Sequence, residues 1–199
     1  MPEPQRNENA STPAAKRLGR EIRYDAVAAV IAALVGMLAL VVAGYTAYIQ
    51  RQQVSAQVWP YLLMGKSNAN GHYEFEVFNK GVGPAIVRSV QVTAGGKPVA
   101  NWHELERLFG FKATGKFVQS TLNGRVLAPD EQVNWIAFEN EADVDAFAAD
   151  WEKFRVEARV CYSSTLGESW VATYHSGLLE RPRPVSRCPD LPQSAQFFD

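Results

Sequence analysis

From Ala26 to Gly44 the chain reads AVAAVIAALVGMLALVVAG, a run of 19 residues with no charge and no strongly hydrogen-bonding side chain. Coiled as a helix, such a run is about 28 Å long, the thickness of a bilayer's hydrocarbon core. A helix buried in a soluble core rarely extends this far without a polar face. Tyr24 stands at one end of the run and Tyr45 and Tyr48 at the other, where amphipathic rings sit at headgroup level. Residues 24–49 are therefore expected to form a single transmembrane helix whose partner is the lipid bilayer.

Length and flanks decide what kind of span this is. A cleavable signal peptide has an apolar core of about 7 to 15 residues and a small-residue cleavage site, so the longer run here reads as an uncleaved signal anchor. Lys16, Arg17, Arg20 and Arg23 precede it and only Arg51 follows closely. The positive-inside rule then keeps the N-terminus cytoplasmic and exports everything beyond residue 50. The expected address is a bacterial inner (cytoplasmic) membrane, single-pass, with the C-terminal domain periplasmic or extracellular. Residues 1–23, of which the first 15 are rich in Pro, Asn and Glu, read as a disordered cytoplasmic tail, and residues 50–56 as a linker. Ala28, Ala32 and Gly36 recur every four residues, a spacing that lets two helices approach and leaves a homodimer through the helix open.

What remains of the 199 residues is enough for one further domain, and a net charge of -1 gives no bulk attraction to nucleic acid. Residues 57–178 show apolar alternation of period two between Gly, Asn and Pro clusters, the spacing of a β-sandwich. In Tyr73-Glu74-Phe75-Glu76-Val77 the odd positions face a core and the glutamates face water. Ile86, Val90 and Val92 predict a second inward set, interrupted at Arg88. Val133, Trp135 and Ala137 predict another, as do Val156, Ala158 and Val160, and then Trp170, Ala172 and Tyr174. Weaker strand signals lie at 58–64, 116–120 and 125–128, for seven or eight strands in all.

Two short helices are expected among these strands. Asn101 followed by Glu104 resembles a capping box for a helix over 102–109. Asn140 caps a second helix with an acidic first turn, along which Val144, Phe147, Trp151 and Phe154 form an apolar stripe. The fold class is mainly β, a transmembrane helix followed by an Ig-like β-sandwich with two inserted helices, with α+β as the alternative.

The stretch Asn79-Lys80-Gly81-Val82-Gly83-Pro84-Ala85, between Phe75–Phe78 and Ile86–Val90, resembles the N-x-G-x-G-P-A turn of uncharacterised bacterial membrane-anchored proteins. Cys161-Tyr162-Ser163-Ser164 and Gly167-Glu168-Ser169-Trp170 look like the paired terminal strands of the same group, which carries more cysteines. The resemblance implies one or two membrane helices and an Ig-like β-domain, and no activity. The local reading of Asn79, Gly81, Gly83 and Pro84 is a structural turn: glycines free to take positive torsions, a proline fixing the exit, an asparagine bonding the turn backbone. A phosphate cradle would need a helix after the glycines, and a strand follows.

Cys161 and Cys188 are the two cysteines, without the short spacings of zinc or redox motifs. Cys161 alternates with the inward-facing valines and so points outward. Residues 179–199 form a Pro-rich tail with little core of its own, expected on the surface. A Cys161–Cys188 disulfide would clip that tail across the outer face of the last strands. His72, His103 and His175 are isolated, and Ser163 and Ser164 lack a nucleophile elbow. The acidic run Glu139, Glu141, Asp143, Asp145, Asp150 and Glu152 lacks the order of a calcium loop and reads as the solvated face of a helix.

No catalytic, metal or cofactor residue is therefore assigned. The functional expectation is a non-catalytic, membrane-tethered binding or accessory domain that engages another envelope or membrane protein. The alternative is a small envelope enzyme with a site assembled from dispersed residues such as His103, Glu104 and His175.

Overall fold

The structure is a computed structural model that describes residues 15–69, 72–175 and 178–198. The chain divides into two compact units, residues 1–52 and 53–199. Helix α1 (Ala15–Gln57) is 43 residues long. Its stretch Tyr24–Gln57 is apolar enough to cross a membrane, with a mean hydropathy of 2.8 in its most apolar window and none of that window buried. Of the expected disordered tail, residues 1–14 lie outside the described residues and 15–23 are helical. The expected linker at 50–56 is helical as well. The stretch IQRQQVSA, residues 49–56, contains neither Gly nor Pro, and the first helix breaker is Pro60.

The second unit consists of two antiparallel sheets facing each other across one core. The four-stranded sheet has the order β1 (Leu62–Ala69), β2 (His72–Asn79), β7 (Gln132–Phe138), β5 (Phe117–Gln119). The other runs β10 (Leu178–Leu179), β9 (Ser169–His175), β8 (Glu157–Ser163), β3 (Ala85–Ala94), β4 (Lys97–Val99), with β11 (Arg183–Val185) added to β9 and β6 (Val126–Leu127) added to β3. The first strand begins at Leu62 and not at Val58, since α1 runs to Gln57 and Pro60 supplies no N–H for a ladder.

Two inward sets are phase-shifted from strict alternation, and both shifts are β-bulges. In β3 the buried apolar residues are Ala85 and Val87, then Val90, Val92 and Ala94, so Ile86 is only half-buried. The pairing jumps between Val87 and Ser89, leaving Arg88 as the unopposed residue. In β7, Phe75 pairs with Ile136 and Glu76 with Asn134, which leaves Trp135 as the extra residue. Trp135 and Ile136 are both buried, and Phe138 takes the inward position expected of Ala137.

Helices α2 (Trp102–Phe109) and α3 (Glu141–Lys153) complete the core. In α2, Asn101 accepts from the Glu104 N–H at 2.9 Å while Glu104 accepts from the Ala100 N–H at 2.7 Å. Gly110 closes the helix in the left-handed region at φ 69°. In α3, Val144, Phe147 and Trp151 are fully buried and Phe154 half-buried. Phe147 meets Tyr73 at 5.5 Å and Phe138 at 4.7 Å, and Trp151 meets Phe75 at 4.9 Å. Phe75 also meets Tyr174 of the opposite sheet at 4.8 Å, so one ring joins both sheets and α3.

The expectation of a surface tail holds for part of residues 179–199 only. Arg183–Val185 form β11, and a single 3-10 turn follows at Gln193–Ala195. Phe197 is fully buried, with Trp102 at 5.0 Å and Trp135 at 5.4 Å. Its N–H donates to Val90 O at 2.8 Å, and the Phe198 N–H to Ala100 O at 2.7 Å. A proline-rich stretch folds onto a surface for want of apolar side chains, and Phe197 after it reverses that rule locally while Phe198 stays exposed.

Candidate functional site

Asn79 lies at the end of β2 and is wholly buried, yet every side-chain hydrogen-bonding atom is engaged. Its Oδ1 accepts from the Tyr61 and Gly81 N–H groups, both at 3.0 Å. Its Nδ2 lies 2.8 Å from Gly83 O, and 3.2 Å from both Leu127 O and Ala128 O. One side chain thus ties together the chain entering β1, the turn after β2 and the segment entering β7. The glycines serve this junction by close approach, in contrast to the torsional freedom expected of them. Neither Gly81 nor Gly83 has positive φ. A Cβ on Gly81 would lie 2.6 Å from the Pro60 carbonyl carbon, and one on Gly83 would overlap the backbone of Val58.

The disulfide joins Cys161 of β8 to Cys188, with Cα atoms 5.7 Å apart and a separation of 27 residues in sequence. It sits on the outer face of the seven-stranded sheet beside β11. In the chain-entropy relation a loop of this length contributes about 3.5 kcal/mol. Replacing both cysteines by serine should lower the unfolding free energy by roughly that amount, and alkylation of the unreduced, unfolded wild-type chain should find no thiol by intact mass. Two alkylated cysteines there would remove the clip.

Two open clefts flank this bridge on the same face. One, of about 510 Å3, is lined by Glu157, Arg159, Thr173, His175, Glu180 and Arg183 among others. The second, of about 340 Å3, is lined by Arg88, Ser163, Ser169, Arg187, Cys188 and Asp190. Their charges are largely paired: Arg159 with Glu157, His175 Nδ1 3.7 Å from Glu157, Arg183 with Glu180 at 3.2 Å, Arg187 with Asp190 at 3.2 Å. The bulge residue Arg88 donates through Nε to Ser163 Oγ at 2.9 Å. Sequence reading missed these arginines because they come from three separate segments, and only strand pairing brings them to one face. A third cleft, about 390 Å3, lies between β4 and α2 and includes Lys97, Glu104, Arg107 and Leu108.

The residues of the dispersed enzyme site are not brought together. Glu104 is spent on its capping box, His103 is exposed and 3.5 Å from Glu106, and His175 belongs to the β9 cleft, which neither of them lines. Ser163 pairs with Ser169 at one end of the β8–β9 ladder and Glu157 pairs with His175 at the other. Six residues of strand put Ser163 and His175 about 20 Å apart. Ser164 accepts from the Leu166 N–H within the turn. Glu74 and Glu76 lie two residues apart on the same face of β2. Burial, followed by the neighbouring Glu74, raises the Glu76 pKa, against a donated bond from Gln132. Among the described residues, no three of His, Cys, Asp and Glu are placed to hold a metal ion.

One member of the acidic run departs from the solvated face expected of it. Asp143 is only 4% exposed. Its carboxylate accepts from the Thr114 and Gly115 N–H groups at 2.8 and 2.7 Å and from Thr114 Oγ1 at 2.9 Å. Desolvation pushes its pKa up, but these three bonds together outweigh it and hold the group below the ordinary aspartate value of 3.8. A folded-state pKa below the unfolded one means stability that is present above the unfolded value and lost as pH falls through the folded pKa. Acid unfolding of the wild type and of Asp143→Ala, compared above about pH 5 and below pH 3.8, should therefore show a gap between them that closes on acidification. A constant gap would mean that the carboxylate charge contributes nothing.

No protein-family model, curated protein or solved structure matches the chain.

Proposed function

We propose that this chain is a membrane-tethered binding or accessory domain of a bacterial inner membrane, with a cytoplasmic N-terminus and a periplasmic β-domain that engages another envelope or membrane protein. The domain is read as an Ig-like sandwich elaborated by α2 and α3, in keeping with the resemblance of the Asn79–Ala85 turn to bacterial membrane-anchored proteins. The observation that carries this reading is a fully exposed apolar helix and a disulfide-clipped β-domain in one chain. An apolar helix with no protein over it needs lipid. A disulfide persists on the oxidising side of the membrane. The basic flank before Ala26 independently sends the β-domain to that side. Open clefts with paired charges support recognition of a partner over enclosed chemistry.

A reporter that is active only in an oxidising compartment, fused after Asp199, should be active. Activity of a cytoplasm-specific reporter alone would overturn the orientation. Pull-down of the detergent-solubilised protein after cross-linking in cells should then recover a specific envelope protein, and recovery of none would count against the binding role.

A further inference from the structure

The end of the β-domain that receives the chain from α1 is built from four segments: residues 53–61, the turn at 80–84, residues 125–131 and the turn at 164–168. The N–H groups of Val82 and Gly83 donate to Trp59 O at 3.0 and 3.2 Å, and Ser55 Oγ donates to the Glu168 carboxylate at 2.7 Å. Ile86 pairs with Val126 on one side and Ser163 on the other, so Val126 and the 164–168 turn flank the start of β3. Eight large apolar side chains beyond residue 52 are exposed among the described residues. Five of them are here: Val54, Trp59, Val82, Val126 and Leu166, with Val82 at 61%. The other three, Leu108, Val118 and Phe198, lie on α2, β5 and the C-terminal segment.

Single exposed apolar residues are ordinary, but five at one end mark an interaction surface. Two of them occupy tight turns, where small polar residues are the usual choice. The charges at this end are Lys80 and Arg125 against Asp130, Glu131 and Glu168. Glu131 is held by Arg125 and the Ala128 N–H, and Glu168 by Ser55. So near a balance gives no handle for an anionic or a cationic partner, and leaves the apolar side chains to supply the affinity.

The sequence names the surface within reach. The apolar run of α1 ends at Gly44, Tyr45 and Tyr48 mark headgroup level, and Trp59 follows Tyr48 by eleven residues. Even fully extended, that stretch reaches no more than about 40 Å. A tether so short keeps this end of the domain at a high effective concentration beside the lipid. Trp59, with its exposed ring packed 5.1 Å from Tyr61, is the kind of side chain that settles at a membrane–water interface.

We infer that this end of the β-domain docks on the bilayer interface, with Trp59, Val82 and Leu166 seated among the lipid headgroups. The inference rests on the reading of α1 as a transmembrane helix. Its test uses the full chain with the native disulfide, carrying one spin label at Val82→Cys, Leu166→Cys, Lys97→Cys or Met37→Cys. Each is reconstituted both into phosphatidylcholine vesicles and into mixed phosphatidylethanolamine and phosphatidylglycerol vesicles. Lys97 is exposed on β4, and pairs with Ala94 at the opposite end of β3 from Ile86. Labels at Val82 and Leu166 should show a higher ratio of oxygen to nickel-chelate collisions than the label at Lys97, shifted toward that at Met37, equally in both lipids. Water-like ratios at Val82 and Leu166, with a lipid-like ratio at Met37, overturn the docking alone. A water-like ratio at Met37 overturns the membrane reading and the docking with it. Shielding from both oxygen and nickel would assign the surface to a protein or a second copy, and a shift seen only with phosphatidylglycerol would assign it to charge; either result overturns the inference.

Discussion

Asn79→Asp is expected to lower the unfolding free energy by about 3 to 5 kcal/mol at neutral pH, the usual consequence of an uncompensated buried charge. The change is nearly isosteric, so packing is not the cause. The Nδ2 group that faces three carbonyl oxygens, those of Gly83, Leu127 and Ala128, would be replaced by a carboxylate oxygen facing the same three. Because the side chain is wholly closed off from solvent, the new acid would have a raised pKa in the folded state and a normal one in the unfolded state. The sign follows from linkage: the defect is largest above the raised pKa and shrinks as pH falls and the acid takes up a proton. Denaturant unfolding of the full chain in detergent, followed by near-ultraviolet circular dichroism at neutral and acidic pH, measures both. A variant within about 0.5 kcal/mol of wild type at neutral pH would mean the junction is not held by this side chain.

Trp151→Ala should cost about 3 to 5 kcal/mol in the same assay. The indole lies against Phe75, Phe147 and Tyr174, so its removal opens a cavity at the meeting point of α3 and both sheets. Its buried Nε1 has no hydrogen-bond partner among the described residues. Trp151→Phe, which gives up no such bond, should therefore recover most of the loss. Asp145, on the exposed side of the same helix, should change stability by less than about 0.5 kcal/mol on replacement by Ala. Equal effects at the two positions would refute the burial of the stripe.

Periodicity made the helices and most strands legible, because it is a local property. The two capped helices coincide with expectation nearly residue for residue, since the caps at Asn101 and Asn140 are written into the sequence beside them. The inward phases of β3 before Arg88 and of β7 past Trp135 were illegible, because a bulge is a property of a strand pair and a single strand does not announce it. Asp143 looked like its acidic neighbours, and only the fold of residues 114–115 over it distinguishes them. The turn at Asn79 was recognisable as a turn. That its glycines make room for residues 58–61 depended on a segment about twenty positions upstream. The clefts beside the disulfide, assembled from residues as far apart as Arg88 and Asp190, left no local signature at all.

The seating of Phe197 between Trp102 and Trp135 has a consequence for how the domain comes into being. A ribosome delivers the chain from residue 1 onward, and everything that Phe197 touches has been delivered before it. Both of its ring partners, and the Val90 carbonyl that receives its N–H, must wait with an open slot until residues 183–198 emerge. Cys188 arrives in that same last stretch. Seating of Phe197 and oxidation of the bridge therefore both follow delivery of the two sheets, and a nascent chain stalled before residue 186 would hold two sheets but neither this aromatic nor its covalent latch.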